Sequence, residues 1–110
     1  MTKKKITENE IQISIYAKAL SHPTRVSILD FLASLEGCYF GEIHKELTLS
    51  KATVSQHLKL LKKAGLIQGT IEFPKIKYCI DKENWTIAQN IFNDFFKQVQ
   101  KSSISCKINN

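Results

Sequence analysis

Between Ser50 and Asp81 the apolar spacing of this chain changes from that of a helix to that of a strand, with a glycine at the changeover. Val54, Leu58 and Leu61 fall at i, i+4 and i+7, the spacing that lines one face of a helix. Ser50 stands where an N-cap serine accepts from first-turn amides, and Gly65 where a left-handed C-cap is wanted. A helix is therefore expected over Lys51–Ala64. After Leu66 and Ile67, the residues Ile76, Tyr78 and Ile80 alternate with Lys75, Lys77 and Cys79, the period-2 pattern of a half-buried strand. Pro74 fits a hairpin tip and not a central strand, so Leu66–Asp81 reads as a β-hairpin.

The flanking segments are read around this pair. A first helix is expected from Thr7 to Leu20, with Ile13, Tyr16, Ala17 and Leu20 on one stripe and Ile11, Ile15 and Ala19 on a second. That is more apolar surface than a helix packed on one side needs. A second helix begins at Ser21-His22-Pro23, where Ser21 or His22 can cap and Pro23 suits the first turn. It carries Val26, Ile28, Leu29, Leu32 and Leu35 and stops at Gly37. Cys38–Phe40 reads as a brief extended segment, and Gly41–Leu47 as a short third helix burying Ile43 and Leu47. Thr48 and Leu49 turn the chain into the Ser50 cap. The last helix, Asn84–Gln100, aligns Trp85, Ala88, Ile91, Phe92, Phe95, Phe96 and Val99 as a core stripe. Helix, tight turn, helix and basic hairpin, in that order, predict a mainly α fold with a small β-hairpin: a winged helix-turn-helix. The 110 residues suit one domain, with frayed tails at about 1–5 and 102–110.

Charge points to the partner. The net charge of +6 comes from 15 lysines and a single arginine, Arg25, against 10 acids. Six of the lysines lie between Ser50 and Lys77, where Glu72 is the only acid. A basic excess concentrated in one segment favours a polyanion. If Val54, Leu58 and Leu61 face inward, then Ala52, Gln56, Lys59 and Lys63 point outward, flanked by Thr53 and Ser55, with His57 and Lys62 nearer the edges. Glutamine can pair bidentately with adenine and lysine with guanine, while hydroxyls accept several partners. The DNA-binding set expected on these grounds is Ser50, Lys51, Thr53, Ser55, Gln56, His57, Lys59, Lys62 and Lys63, with Lys75 and Lys77 beside the wing. His57 could equally pack at the helix boundary. Arg25 is expected to brace the helix junction. Neither helix nor wing offers an arginine, the commonest reader of guanine, so an operator leaning to A·T and strong salt dependence are expected.

The stretches AKALSHPTRVSIL (17–29), GEIHKELTLSKATVSQHLKLLKKAGLI (41–67) and IKYCI (76–80) resemble the ArsR/SmtB family of bacterial repressors in order and spacing. The resemblance implies a homodimer built from the first and last helices, an imperfect palindromic DNA operator, and repression relieved by an inducer. Many members of the family bind metal, but this sequence departs from both standard metal sites. A Cys-x-Cys pair leading into the third helix would fall on Tyr39 and Gly41, with Cys38 one residue out of register. The last helix has no histidine, and Asp94 is not followed by one. The second-helix cysteine of thiol-sensing members aligns with Asp30.

Cys38, Cys79 and Cys106 are widely spaced and odd in number. They do not read as a disulfide framework, and a reducing, cytoplasmic compartment suits them. Cys38 and Cys79 are expected as buried or edge hydrophobes, with a thiol effector site involving Cys38, Cys79 and Cys106 as the alternative. No apolar run is long enough to span a membrane. No nucleophile–base pair, paired catalytic carboxylates or glycine-rich phosphate loop stands out, so neither an enzyme nor a cofactor is expected. The competing reading is a winged helix turned protein-interaction module, favoured by Glu72-Phe73-Pro74 standing where the family carries a Glu-Gly-Arg wing tip.

Overall fold

The structure, a computed structural model, describes residues 3–72 and 75–101. The elements run α1 (Glu8–Ala19), α2 (Pro23–Ser34), β1 (Cys38–Phe40), α3 (Ile43–Glu46), α4 (Lys51–Ala64), β2 (Ile67–Glu72), β3 (Lys75–Ile80) and α5 (Lys82–Lys101). This is a mainly helical winged helix fold, as expected. Cys106, Phe73 and Pro74 lie outside the described residues, as do the side chain of Lys75 and the tail from 102 onward.

Local chemistry explains most of the boundaries. Thr7 closes a capping box with Glu10: its hydroxyl accepts from the Glu10 amide, and the Glu10 carboxylate accepts from the Thr7 amide. His22, rather than Ser21, caps α2, its Nδ1 accepting from the Thr24 amide at 3.1 Å ahead of Pro23 at the first helical position. α2 ends earlier than Gly37, because Glu36 and Gly37 are both left-handed and the Gly37 amide returns to the Leu32 carbonyl. α3 is shorter than expected: Glu42 is extended and supplies no side-chain cap. α5 starts two residues before Asn84, because the Asp81 carboxylate accepts from the Asn84 amide at 3.0 Å.

The extended segment at Cys38–Phe40 does more than connect. It is the edge of a three-stranded antiparallel sheet ordered β1-β3-β2. Cys38 lies opposite Cys79 and Phe40 opposite Lys77, while across the hairpin Gln68 lies opposite Cys79 and Thr70 opposite Lys77. Cys38 and Cys79 form a disulfide, which corrects the expectation that the cysteines form none. The two sit 41 residues apart, so their spacing carries no sign of it. Nor are they buried hydrophobes: Cys38 is exposed and Cys79 half-buried.

Ile28, Leu32, Leu61, Leu66 and Ile67 are the largest fully buried side chains, joined by Tyr16, Ala19, Leu29, Ile43, Val54, Leu58 and Ala88 in one core. α4 sits at its centre, packing on α1, α2, α3 and β2. Not every apolar residue of the helices is in it. Val26 and Leu35 are exposed, and of the α5 stripe only Ala88 is buried, with Ile91 and Phe92 partly so.

One buried charge ties the helices together. The guanidinium of Arg25 donates from Nε to the Ala19 carbonyl (2.9 Å) and from Nη2 to the Lys18 carbonyl (2.9 Å) and Ser21 Oγ (3.1 Å), and its Nη1 meets His57 Nδ1 at 3.2 Å. It braces the junction of α1, α2 and α4, as expected. Arg25→Lys keeps the charge but cannot reach four acceptors from one ammonium. It should cost about 2–3 kcal/mol, read as a lower urea midpoint at unchanged m-value.

Candidate nucleic-acid interface

α3 and α4 are joined by a turn in which Thr48 takes a left-handed conformation (φ 56°) and the Leu49 amide returns to the His44 carbonyl at 3.1 Å. A β-branched residue is disfavoured there, so the turn is held by what flanks it. On one side Ile43 is buried. On the other, Ser50 Oγ accepts from the Thr53 amide at 3.2 Å and donates to Thr53 Oγ1 at 2.7 Å. The Ser50 hydroxyl is thus committed to the cap.

Val54, Leu58 and Leu61 are buried, and the helix turns its other faces to solvent. Lys51, Ala52, Thr53, Ser55, Gln56, Lys59, Lys62 and Lys63 are all exposed. Lys51–Ala64 carries four lysines and no acid. Its capped N-terminus adds the positive end of the helix dipole near Lys51, Thr53 and Ser55. Lys62 and Lys63 lie in the last turn, where they oppose the dipole's negative end. The sequence thus brings nine candidates onto one helix, and the fold leaves eight of them with solvent-facing or cap positions.

His57 is the exception. It is half-buried, with Nδ1 against Arg25 and its ring 4.5 Å from that of His22. Burial first, then the charges of His22 and Arg25, hold its imidazole below the ordinary histidine range.

Beyond the first turns of α4 an open groove of about 670 Å³ separates α3 from the sheet, lined by Lys51 and Ser55 on one side and Ile76 and Tyr78 on the other. Nearby acids are already engaged. Glu42 pairs with Lys45 at 2.8 Å, which lowers the carboxyl and raises the ammonium. Glu46 accepts from the Tyr39 hydroxyl at 2.9 Å, which raises that phenol. Because strand side chains alternate, Lys77 lies on the opposite face of β3 from Ile76 and Tyr78, beside Thr70 of β2. Thr70 is exposed and escapes sequence reading, since only the register reveals that it neighbours Lys77.

The far end of α4 is pinned as firmly. Gly65 is left-handed (φ 87°), and a side chain there would run into Asn84 Nδ2 at 2.9 Å. That same amide donates to the Gly65 carbonyl at 2.9 Å, and Asp81 accepts from Gln68 Nε2 at 2.9 Å. The bond from the Asn84 amide and that from Gln68 lower the Asp81 carboxyl. Among the described residues, no three histidine, cysteine or acidic side chains converge on a point that could hold a metal.

The depressed His57 imidazole makes stability depend on pH. Below about pH 6.5 the unfolded chain takes up this proton before the folded one. The stability His57 confers is complete above that pH and is lost as pH falls through the lowered folded value. Urea midpoints of the unmodified protein should therefore decline more between about pH 7 and about pH 5 than those of His57→Gln; parallel declines would remove His57 from this role.

Comparison with known proteins agrees with this geometry. Residues 20–70, from the end of α1 into β2, match the model of a helix-turn-helix domain. The HTH-type transcriptional regulator CmtR of Mycobacterium tuberculosis is 36% identical over 72 residues, 64% of this chain and 59% of CmtR, so the match spans less than two thirds of that relative. The transcriptional repressor SdpR of Bacillus subtilis is 33% identical over 84 residues, 76% of this chain and 89% of SdpR. The crystal structure of an ArsR family transcriptional regulator superposes with a TM-score of 0.72 at 21% identity, covering 90% of this chain and 100% of that one, a likeness of fold. With the helix-turn-helix, the wing and these relatives together, the chain belongs to the ArsR/SmtB family of helix-turn-helix transcriptional regulators.

Proposed function

We propose that this protein binds duplex DNA sequence-specifically through α4 and the β2–β3 wing and represses transcription from the site it occupies. The observation that carries this reading is the solvent-facing side of α4: four lysines, no acid, and Thr53, Ser55 and Gln56 presented from a helix whose other face is buried. The N-terminal half of α4 lies in the major groove. Gln56, Thr53, Ser55 and Lys51 or Lys59 read base edges, and Lys62, Lys63, Lys75 and Lys77 hold phosphates. Ser50 acts through Thr53, whose hydroxyl it orients. Selection from a random duplex pool tests this directly. The expected product is an A·T-leaning site; Gln56→Ala should relax preference at particular base pairs by about 1–3 kcal/mol. Lys77→Ala should weaken all sequences alike and reduce the salt slope by about 1. A G·C-rich consensus, or Gln56→Ala weakening every site equally, would show that a different face reads the DNA.

The protein acts as a homodimer through α1 and α5. The support is apolar surface that the single chain leaves open: Ile11 and Ile15 on α1, and Trp85, Phe95 and Phe96 on α5, with Phe96 65% exposed. A cleft of about 300 Å³ between the two helices, lined by Tyr16, Leu20, Trp85 and Phe92, adds to it. Two copies joined here present two α4 helices to one side, so the selected site should be an imperfect palindrome with half-sites about 34 Å apart. Light scattering should give the mass of two chains, and Phe96→Glu the mass of one. A well-folded monomer from the unmodified protein would end this reading.

A further inference from the structure

Cys38 and Cys79 occupy directly opposed positions on neighbouring strands. The Ile80 amide donates to the Gly37 carbonyl, which makes Gly37 and Ile80 the hydrogen-bonded pair. Cys38 and Cys79 are then the adjacent non-hydrogen-bonded pair, where side chains come closest; their Cα atoms are 4.0 Å apart. Cys38 is solvent-exposed and Cys79 half-buried, so reagents in solution can reach the pair. What the bond joins matters most. β1 is a three-residue edge strand that leads directly into α3, and such edges are the first parts of a sheet to open. β3 is the central strand and carries Lys77 two residues along the same face as Cys79.

We propose that Cys38 and Cys79 form a thiol-oxidation site whose disulfide clamps the edge strand leading into the helix-turn-helix onto the wing, so that DNA affinity follows the redox state of this pair. The inference rests on the DNA-binding reading above. The oxidant is a low-molecular-weight disulfide. The exposed Cys38 thiolate attacks one of its sulfurs, that S–S bond breaks, and one thiolate leaves. The Cys79 thiolate then attacks Cys38 Sγ in the mixed disulfide and expels the second thiolate. Two protein thiols lose their protons to solvent and two electrons to the oxidant, which is reduced to two thiols. The closed bond keeps β1 from opening and holds α3, α4 and wing in one frame, so less ordering is left for DNA to impose. Oxidation therefore tightens binding and reduction loosens it.

The full chain and Cys106→Ser, each oxidised with glutathione disulfide or reduced with a phosphine, test this against the selected duplex. Intact mass should show the loss of two hydrogens, and digestion should yield linked Cys38 and Cys79 peptides. The oxidised form should bind about fivefold or more tighter, a difference absent from Cys38→Ser and Cys79→Ser. By linkage, bound DNA should make the disulfide harder to reduce by the same factor. Failure of the bond to form, equal affinities of the two forms, weaker binding on oxidation, or a difference that survives in the serine variants overturns the proposal. If neither form binds any duplex, the DNA reading itself falls and takes this proposal with it. That outcome is told apart by the mass measurement, which needs no DNA.

Discussion

A single buried guanidinium holds the frame of this protein. The carbonyls of Lys18 and Ala19 lie at the end of α1, past the reach of intrahelical amides; Ser21 donates to that of Lys18 from its amide and its hydroxyl, and that of Ala19 needs a donor from elsewhere. Arg25, in the first turn of α2, supplies a donor to the Ala19 carbonyl, adds a further bond to that of Lys18, and continues to Ser21 and His57. The same side chain therefore closes one helix, fixes the angle of the next, and touches the middle of α4. A buried charge is costly unless fully bonded, and here every arm of the fork has a partner. That requirement admits few arrangements of the three helices, and so fixes where the outward face of α4 points.

α4 is consequently held at three places by chemistry of different kinds. Ser50 orders its start through Thr53. His57 anchors its middle through Arg25. The Asp81–Asn84–Gly65 bonds lock its end to the wing strand and to the start of α5. Between these anchors the apolar positions Val54, Leu58 and Leu61 sink into the core, and the intervening polar residues have only solvent to face. A helix so fixed can present lysines and hydroxyls at constant spacing, which a loop could not do as well.

The sheet links this rigid part to its periphery. β3, in the middle, shares one face with the groove beside α4 through Ile76 and Tyr78. On its other face it carries Lys77 and Cys79. β1 is short and at the edge, yet it is the segment through which α2 connects to α3. The Cys38–Cys79 bond therefore joins the segment that leads into α3 to the strand that carries Lys77.

Whatever depends on neighbours a few residues apart is legible in the chain before it folds. The period of Val54, Leu58 and Leu61 defined α4 and its outward face, Ser50 and Gly65 its ends, and the alternation of Ile76, Tyr78 and Ile80 the wing strand. Of the two apolar stripes of α1, Tyr16 and Ala19 are buried, while Ile11, Ile15 and Leu20 stay exposed. Contacts between residues far apart in the chain are encoded in no periodicity and exist only once the elements have packed. Arg25 meets His57 across 32 positions and Asn84 reaches Gly65 across 19. Cys38 joins Cys79 across 41, only because β1 enters the sheet beside β3 rather than remaining a connector. The start of α5 escapes the periodicity for the same reason: Asp81 serves as a cap only once Leu66 and Gln68 hold it in position. The outer half of the α5 stripe is expected in the core and is exposed, because an apolar residue shows which face it shares with others. It does not show whether anything within the same chain covers that face.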